Sequence, residues 1–448
     1  MASTYLSFTQ GAATSRRIFT ISVWVKRANL SAQQQIFETW LDNNNRFDVQ
    51  FTASDKILVQ HTLGGSTSIN IETSRLFRDT SAWYHIVVEV DTTQATASDR
   101  VKIYINGSQE TSLSPATYPS QNLDLALGTA SYTNFLGKYS SAGGNYFDGS
   151  MSHVHFIDGT AYDATAFGEY DANGVWKIKT DVSVTYGTNG YFILKDGNSV
   201  TDQSGNGNNF TASGTLTNTE DCPSNVFCVL NPLSHLKGWT TTDGNTTFNS
   251  GTVTDWSSAV AGTIGASTGK YYWEVKFTSG DAYSILGVLP LDQYWRCNKG
   301  STTENVYNYA QNIQFDTSGS GSLRNYVSSN TTFPQVSLND IFSFAMDMDN
   351  RKCWIGVNGV WYNSGNPATG TNPTWDTTEF NSDWDGGFVP FTQGYYISNS
   401  TEFKFNFGNG YFGTTAVASA GTNASGIGIF EYDVPTGYTA LSTKGLNL

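Results

Sequence analysis

The feature that most constrains the fold is an alternating strand pattern that closes on Asn-Gly in each half of the chain. Residues 100–107 and 352–359 both follow this pattern. Asn and Gly tolerate the positive φ that a tight hairpin turn requires. Each pattern also follows a strand that ends in an acidic residue, Asp91 or Asp347. Two related sheet domains explain this duplication better than a short repeat array, whose period would be about 20–50 residues.

The other regular segments are strand-like as well. Large and small or polar residues alternate in each of them, and no heptad or amphipathic helix is visible. They span residues 18–25, 83–91, 151–158, 190–194, 270–277, 341–349 and 402–407. We therefore predict an all-β chain with two antiparallel β-sandwich domains in tandem. The strand residues Trp24, Trp83, Trp273 and Trp354 are expected in the cores.

The domain boundary is predicted from turn-forming residues. Asp, Asn and Gly dominate residues 196–209, and a Thr- and Ser-rich stretch then leads to Cys222-Pro223. Clusters of this kind separate regular elements. We predict a first domain over residues 1–215, a linker over 216–234 and a second domain over 235–448.

Composition excludes several functional classes. The net charge is −14, only 14% of residues are charged, and 14% are aromatic. A nucleic-acid binder and a protein drawn to anionic membranes both need basic clusters, so neither is expected. No apolar run approaches the 18 residues of a membrane span. The first residues carry no signal-peptide pattern, so we expect the four cysteines to be free thiols.

The first half resembles a known family. Trp24 and residues 83–88, 101–107, 147–149 and 154–156 stand in an order similar to that of a laminin G-like domain. Such domains have the concanavalin A-type jelly-roll fold. The resemblance covers the predicted first domain and implies this fold for it.

The second half resembles a SPRY domain, a related β-sandwich. The matching segments are residues 271–275, 285–288, 344–359 and 403–408, and their order agrees with the family. Residues 434–438 lie beyond the usual module and are expected to form a C-terminal extension. The resemblance implies a second concanavalin A-like, jelly-roll sandwich.

A laminin G-like domain followed by a SPRY-like domain is similar to virion proteins of marine tailed bacteriophages. The resemblance implies a tail-fibre or surface-decorating structural protein that binds host-surface polysaccharide or another receptor. It also implies other virion proteins as partners, a homo-oligomer with a trimer favoured, and a place on the particle surface after assembly in the host cytoplasm. A purely architectural capsid or tail adaptor and a polysaccharide depolymerase are the alternatives.

Catalytic signatures are not found in the sequence. Motifs for nucleophilic hydrolysis, zinc proteolysis and phosphate binding are missing. Asp347 and Asp349 have the spacing of a paired-carboxylate glycosidase, but no glutamate follows them. His153 and His155 could form a metal pair only with a third ligand. We therefore expect no enzymatic activity.

Aromatic residues in loop-like stretches are the candidate ligand-binding residues. Flat aromatic faces stack on the apolar C–H faces of sugars, and loops are solvated. The candidates are Tyr294, Trp295, Trp375, Trp384 and Asp385. Packing of these rings against the sandwich as lids remains an alternative.

A calcium site is a second hypothesis for the boundary turns. Ca²⁺ takes six to eight oxygen ligands, and Asp196, Asn198, Asp202 and Asn206 supply a dense set of them. Residues 202–208 also resemble a segment common in laminin G-like domains. The alternative is an ordinary Gly- and Asn-rich turn with no cation. No other cofactor is expected.

Overall fold

Two separate compact units make up the chain in the computed structural model. The first unit contains Met1–Asn218 and Cys222–Ser224, and the second contains Thr219–Asp221 and Asn225–Leu448. The structure describes residues 3–139, 143–195, 199–233, 238–254, 258–280, 284–298, 306–315, 320–324, 331–376, 386–396 and 399–448.

The first unit is built from sixteen described strands. They are β1 (Tyr5–Thr9), β2 (Ile18–Arg27), β3 (Gln34–Asp42), β4 (Asn45–Phe51), β5 (Ile57–Leu63), β6 (Ser66–Thr73), β7 (Tyr84–Asp91), β8 (Val101–Ile105), β9 (Ser108–Gln109), β10 (Leu113–Thr117), β11 (Thr133–Leu136), β12 (Gly149–Asp158), β13 (Gly168–Tyr170), β14 (Trp176–Ile178), β15 (Tyr191–Ile193) and β16 (Thr211–Ser213). Short 3₁₀ helices cover Ala97–Asp99 and Ala164–Ala166.

Two antiparallel sheets enclose the core of the first unit. The larger sheet has the order β10-β6-β5-β4-β3-β11-β1-β16, and the smaller has the order β15-β12-β2-β7-β8-β9. The apolar residues of both sheets meet in one cluster that includes Phe19, Phe47, Val88 and Phe156. The predicted Asn106-Gly107 turn joins β8 to β9, with φ values of 47° and 84°.

The outer face of the smaller sheet in the first unit is covered by residues that follow β12. Phe167 and Ala164 pack on Val87 and Ile157 there and form a second apolar cluster. The hairpin of β13 and β14 belongs to this cover, because Trp176 is packed against the same cluster. This face is therefore occupied by the chain itself.

The second unit repeats the two-sheet plan. Its strands are β17 (Thr240–Thr242), β18 (Thr247–Asn249), β19 (Ser258–Ala261), β20 (Lys270–Ser279), β21 (Ser284–Pro290), β22 (Gln311–Phe315), β23 (Ser320–Arg324), β24 (Thr331–Gln335), β25 (Ile341–Asp347), β26 (Lys352–Val357), β27 (Val360–Trp361), β28 (Phe388–Gly394), β29 (Glu402–Asn406), β30 (Tyr411–Phe412), β31 (Thr415–Ala416) and β32 (Thr439–Ala440). The 3₁₀ helices are Leu291–Asn298, Val306–Tyr309, Tyr362–Ser364 and Gly445–Asn447.

The two main sheets of the second unit enclose its core. One has the order β17-β18-β29-β20-β25-β26-β27, with β32 added beside β20, and the other has the order β19-β28-β21-β22-β23-β24. Trp273 stacks on Phe344 and Phe388 between them. The expected core positions of Trp24, Trp83, Trp273 and Trp354 are confirmed, since all four are buried. The predicted all-β sandwich class is also confirmed.

The predicted C-terminal extension packs on the outer face of the first of these sheets. Phe430, Val434 and Tyr438 form an apolar cluster with Tyr272 and Trp354 of that face. The segment then adds β32 parallel to the start of β20. The extension therefore supplies a third layer of this unit.

A buried carboxyl group fastens this segment to the sheet. Glu274 accepts hydrogen bonds from the backbone N–H groups of Glu431 and Tyr432, each at 2.8 Å. The hydroxyl of Tyr272 at 2.9 Å and the amide of Asn406 at 3.3 Å also donate to it. Burial raises the pKa of Glu274 to about 7, in opposition to these four donors.

The segment predicted as a linker is shorter than expected. Residues 225–233 belong to the second unit, because Phe227, Cys228 and Leu230 are buried in its apolar clusters. Their apolar side chains are separated by too few residues to show a strand pattern, so the sequence alone did not assign them. In the described part of the chain, no helix has the length and apolar character to cross a membrane.

Candidate functional site

The predicted aromatic group at residues 294–296 lies on the 3₁₀ helix Leu291–Asn298, which follows the buried strand β21. A 3₁₀ helix has about three residues per turn, so Tyr294 and Cys297 share one side. Both pack on a small apolar cluster with Ile285 and Phe391. Trp295 lies between them in sequence and is 47% exposed. The helix thus presents one indole ring to solvent.

Arg296 supports this exposed ring. Its guanidinium carbon lies 4.5 Å from the ring centroid of Trp295 and 3.4 Å from that of Tyr309. Its Nε also donates to Oε1 of Gln293 at 2.7 Å. Cation–π contacts of this kind are worth about 0.5–1 kcal/mol at exposed sites. Together they hold the guanidinium, and with it one side of the Trp295 ring.

Tyr294 has a supporting position beneath the exposed ring. Its hydroxyl accepts a hydrogen bond from Nδ2 of Asn231 at 2.5 Å, and its ring is half-buried against the cluster. Burial raises the pKa of the Tyr294 hydroxyl. Of the two adjacent candidates, only Trp295 offers a large exposed ring.

The other predicted aromatic candidates have different positions. The ring of Trp375 is 3% exposed and lies in the main core, where its backbone pairs with Cys353. This corrects the expectation that Trp375 stands on a solvated loop: the chain folds back onto β26 at this point. Trp384 and Asp385 lie outside the described residues.

The predicted calcium turn is hydrogen-bonded to itself. The Asp202 carboxylate accepts from the backbone N–H groups of Phe192, Ser204 and Asn208, each at 2.9 Å. Nδ2 of Asn206 donates to the Gly190 carbonyl at 2.8 Å. The described oxygens are thus engaged in closing the turn, while Asp196 and Asn198 lie outside the described residues. Within the described ranges, no group of three or more His, Cys, Asp or Glu side chains is arranged to hold a metal.

The histidines have structural partners. His85 stacks on Trp24, with ring centroids 4.6 Å apart. Nε1 of Trp176 donates to Nδ1 of His85 at 3.0 Å, so its Nε2 carries the proton and donates to Oγ of Ser22 at 2.9 Å. Burial lowers the pKa of His85 to about 3. This imidazole is therefore neutral at physiological pH.

The predicted His153 and His155 pair is interrupted by a β-bulge between Ser152 and His155. Nδ1 of His155 lies 2.9 Å from the hydroxyl of Tyr186, and the ring stacks 3.9 Å from that of Phe192. Nδ1 of His153 lies 2.8 Å from Oγ of Ser152. Each ring is bonded to its own neighbours.

The acidic pair that resembles a glycosidase motif shapes a turn. Asp347 accepts from the backbone N–H of Asn350 at 3.0 Å and lies 2.9 Å from Nζ of Lys270. Asp349 accepts from the backbone N–H of Gly269 at 2.8 Å. Both carboxylates are used to join β20, β25 and the β25–β26 turn.

A polar row across the larger sheet of the first unit was missed by the sequence analysis. One residue from each of six neighbouring strands faces away from the core, and each is directly opposite the next in register. The row is Phe135, Glu38, Asp48, Gln60, Asn70 and Thr117. Neighbouring strands are about 4.8 Å apart, so the row is closely and evenly spaced. The alternation of each strand is visible in the sequence, but the register that aligns these residues is not.

Comparisons with known proteins agree with the two-sheet architecture. Residues 1–165 match the family model of the concanavalin A-like lectin/glucanases superfamily. No curated protein matches the chain. The first unit therefore has a concanavalin A-like lectin fold.

Among solved structures, the chain is similar to the SPRY domain of human HERC1, at 14% identity and a TM-score of 0.28 over 39% of this chain and 96% of that chain. It is similar to a putative carbohydrate binding protein from Bacteroides ovatus, at 16% identity and a TM-score of 0.33 over 47% of this chain and 56% of that chain. It is also similar to domain 4 of an extracellular arabinanase from Geobacillus stearothermophilus in complex with arabinotriose. There the identity is 19% and the TM-score 0.27, over 35% of this chain and 67% of that chain.

Proposed function

We propose that this protein is a non-enzymatic saccharide-binding protein whose second unit binds sugar on the Trp295 surface. The observation that carries the proposal is the exposed indole of Trp295, held from one side by Arg296. A flat ring with a fixed orientation stacks on the apolar face of a sugar without first losing side-chain freedom. Arg296 and Gln293 lie next to the ring and can hydrogen-bond sugar hydroxyls.

Weak individual sites suit a protein that displays several copies of itself. A single stacked ring with a few polar neighbours gives modest affinity, whereas linked copies increase the overall affinity through effective concentration. We propose a homo-oligomer, with a trimer favoured. Light scattering after size exclusion would then give three times the 48.8 kDa mass of one chain.

We also propose that the protein serves on the surface of a bacteriophage particle and attaches it to host polysaccharide. The support is the sequence resemblance of a laminin G-like domain followed by a SPRY-like domain to such virion proteins. The alternative is an architectural adaptor that binds only other virion proteins. Saccharide binding by the purified chain would favour attachment over the adaptor.

The proposed absence of catalysis is supported by the bonding of the acidic pair. Asp347 and Asp349 are engaged with backbone N–H groups and a lysine, which leaves neither as a free acid or base. A depolymerase would release new reducing ends from polysaccharide, and substitution Asp347→Asn or Asp349→Asn would abolish the release. We expect no release by the unmodified chain.

The direct test is an array of purified bacterial surface polysaccharides probed with the fluorescently labelled full chain. Saturable binding that the free polysaccharide removes is the expected result. Absence of binding to every polysaccharide, by a folded sample of known oligomeric state, would contradict the proposal and favour the adaptor.

A further inference from the structure

The outer faces of the two sheets in the first unit differ in what covers them. Phe167 and Trp176 cover the smaller sheet with apolar side chains. On the larger sheet, the polar row passes under Tyr139 at Glu38 and Asp48, and continues through half-buried Gln60 and Asn70 to exposed Thr117. A half-open strip of hydrogen-bonding side chains therefore crosses this sheet.

Side chains in the half-open part form a ladder across three strands. Nη2 of Arg46 donates to Oε1 of Gln60 at 2.9 Å, and Nε2 of Gln60 donates to Oδ1 of Asn70 at 3.4 Å. None of the described residues accepts from Nδ2 of Asn70. The ladder thus fixes two amides in a line and leaves N–H donors for another molecule.

An aromatic wall bounds the closed end of the ladder. Trp40 and Tyr139 meet edge to face with ring centroids 5.8 Å apart, and the guanidinium of Arg46 lies 5.3 Å from the Tyr139 centroid. Nη1 of Arg46 also donates to the Tyr139 hydroxyl. Aromatic faces beside fixed amides form the combination of surfaces that a sugar ring requires.

Buried polar atoms behind Arg46 are incompletely satisfied. Oε1 of Gln35, Nε of Arg46 and Oδ2 of Asp48 are buried and have no hydrogen-bond partner among the described residues. Nε of Arg46 lies 3.5 Å from Oδ2 of Asp48, which is an ion pair and not a hydrogen bond. Such atoms are rare in folded proteins because each costs free energy. They are expected where a bound molecule or ordered water completes a network.

The charges on this face exclude a strongly anionic ligand. Arg46 is paired with Asp48, and Nζ of Lys56 lies 2.8 Å from Oε1 of Glu72. The cations on the strip are thus balanced by carboxylates, in a chain whose net charge is −14. A polyanion would be repelled at long range.

We propose that this strip, centred on Arg46, Gln60 and Asn70, is a second saccharide-binding site, which takes a neutral polysaccharide chain laid across the strands. The site lies in the first unit and does not depend on Trp295. It extends the proposed function by giving each unit its own sugar-binding surface.

The test is affinity gel electrophoresis of the full chain carrying Trp295→Ala, with dextran, mannan or laminarin in the gel. This background removes the proposed site of the second unit. We expect at least one of the three polysaccharides to retard the protein. Gln60→Ala and Asn70→Ala, added separately, should each weaken retardation about threefold to tenfold, as expected for the loss of one hydrogen bond. Gln121→Ala, at an exposed residue elsewhere in this unit, is the matched control and should change nothing.

Two results would overturn the proposal: no retardation by any of the three polysaccharides, or retardation that both Gln60→Ala and Asn70→Ala leave intact. Circular dichroism and thermal unfolding show whether each variant is folded, and Arg46→Lys replaces a variant that is not. Failure of the Trp295 site alone would be seen differently. The unmodified and Trp295→Ala chains would then bind equally, and Gln60→Ala would still weaken binding.

Discussion

The guanidinium carbon of Arg296 lies 3.4 Å from the ring centroid of Tyr309. The same guanidinium contacts the exposed ring of Trp295, so Tyr309 fixes Trp295 through Arg296. Arg296→Ala should therefore free the indole and weaken saccharide binding about threefold to tenfold, with little loss of stability, since the contacts are near the surface. Titration of the best-bound polysaccharide by calorimetry measures this effect. Equal affinity of the variant and the unmodified chain would show that Arg296 has no positioning role.

Glu274 should make the stability of the second unit depend on pH. Its pKa is about 7 in the folded protein, above the ordinary value of 4.5. Below about pH 4.5 the carboxyl is protonated in both states, and this stabilisation is lost as pH rises through 7. At about 1.4 kcal/mol per pKa unit, the free energy of unfolding should fall by up to about 3 kcal/mol. Urea unfolding at about pH 5 and about pH 8 measures the fall.

The variant Glu274→Gln isolates this contribution, because the amide does not ionise. Its free energy of unfolding should vary less between the two pH values than that of the unmodified chain. Glu169→Gln changes a half-exposed carboxylate and is the control. Identical pH dependence of the unmodified chain and Glu274→Gln would contradict the role assigned to Glu274.

The Trp176 cover predicts unequal effects of two glycine substitutions. Gly107 has φ +84°, and a Cβ there would lie 2.4 Å from the Trp176 ring. Gly174 has φ +77° but nothing within 4 Å of such a Cβ. Both substitutions to Ala carry the backbone strain of a positive φ, about 1 kcal/mol. Gly107→Ala should cost about 1–3 kcal/mol more than Gly174→Ala, because it must displace the ring. Urea unfolding compares them, and equal costs would show that Trp176 moves freely.

The four cysteines should differ in reactivity. Cys222 is half-buried, whereas Cys228, Cys297 and Cys353 are buried and all four are free thiols. Burial also raises the pKa of Cys297 to about 12, which suppresses its thiolate. Ellman's reagent should therefore titrate one thiol in the folded chain and four after unfolding. Rapid reaction of two or more thiols in the folded chain would contradict the described packing.

Sequence alone predicted what depends on local pattern. Asn106-Gly107 and Asn358-Gly359 form the expected turns, because positive φ is a property of those residues. Trp375 was misplaced because its polar neighbours suggest a loop, whereas its burial follows from the pairing with Cys353. The polar row was missed because it depends on the register of six strands.

The anchoring of the C-terminal segment by Glu274 was missed for a related reason. Its donors at Glu431 and Tyr432 are 157 and 158 residues away in sequence. No local pattern reports a contact between such distant positions. Trp295, by contrast, was found because an aromatic residue directly after a buried strand stands out in the sequence.

The central claim is tested most directly by the affinity of the Trp295→Ala chain for the polysaccharide that the unmodified chain binds best. Tyr170→Ala is the matched control, because Tyr170 is an exposed aromatic residue of the first unit, 52% accessible against 47% for Trp295. Removal of a stacked ring should weaken binding by about tenfold or more, as for other aromatic residues that dominate binding. We predict this loss for Trp295→Ala and unchanged affinity for Tyr170→Ala. Unchanged affinity of Trp295→Ala would contradict the account.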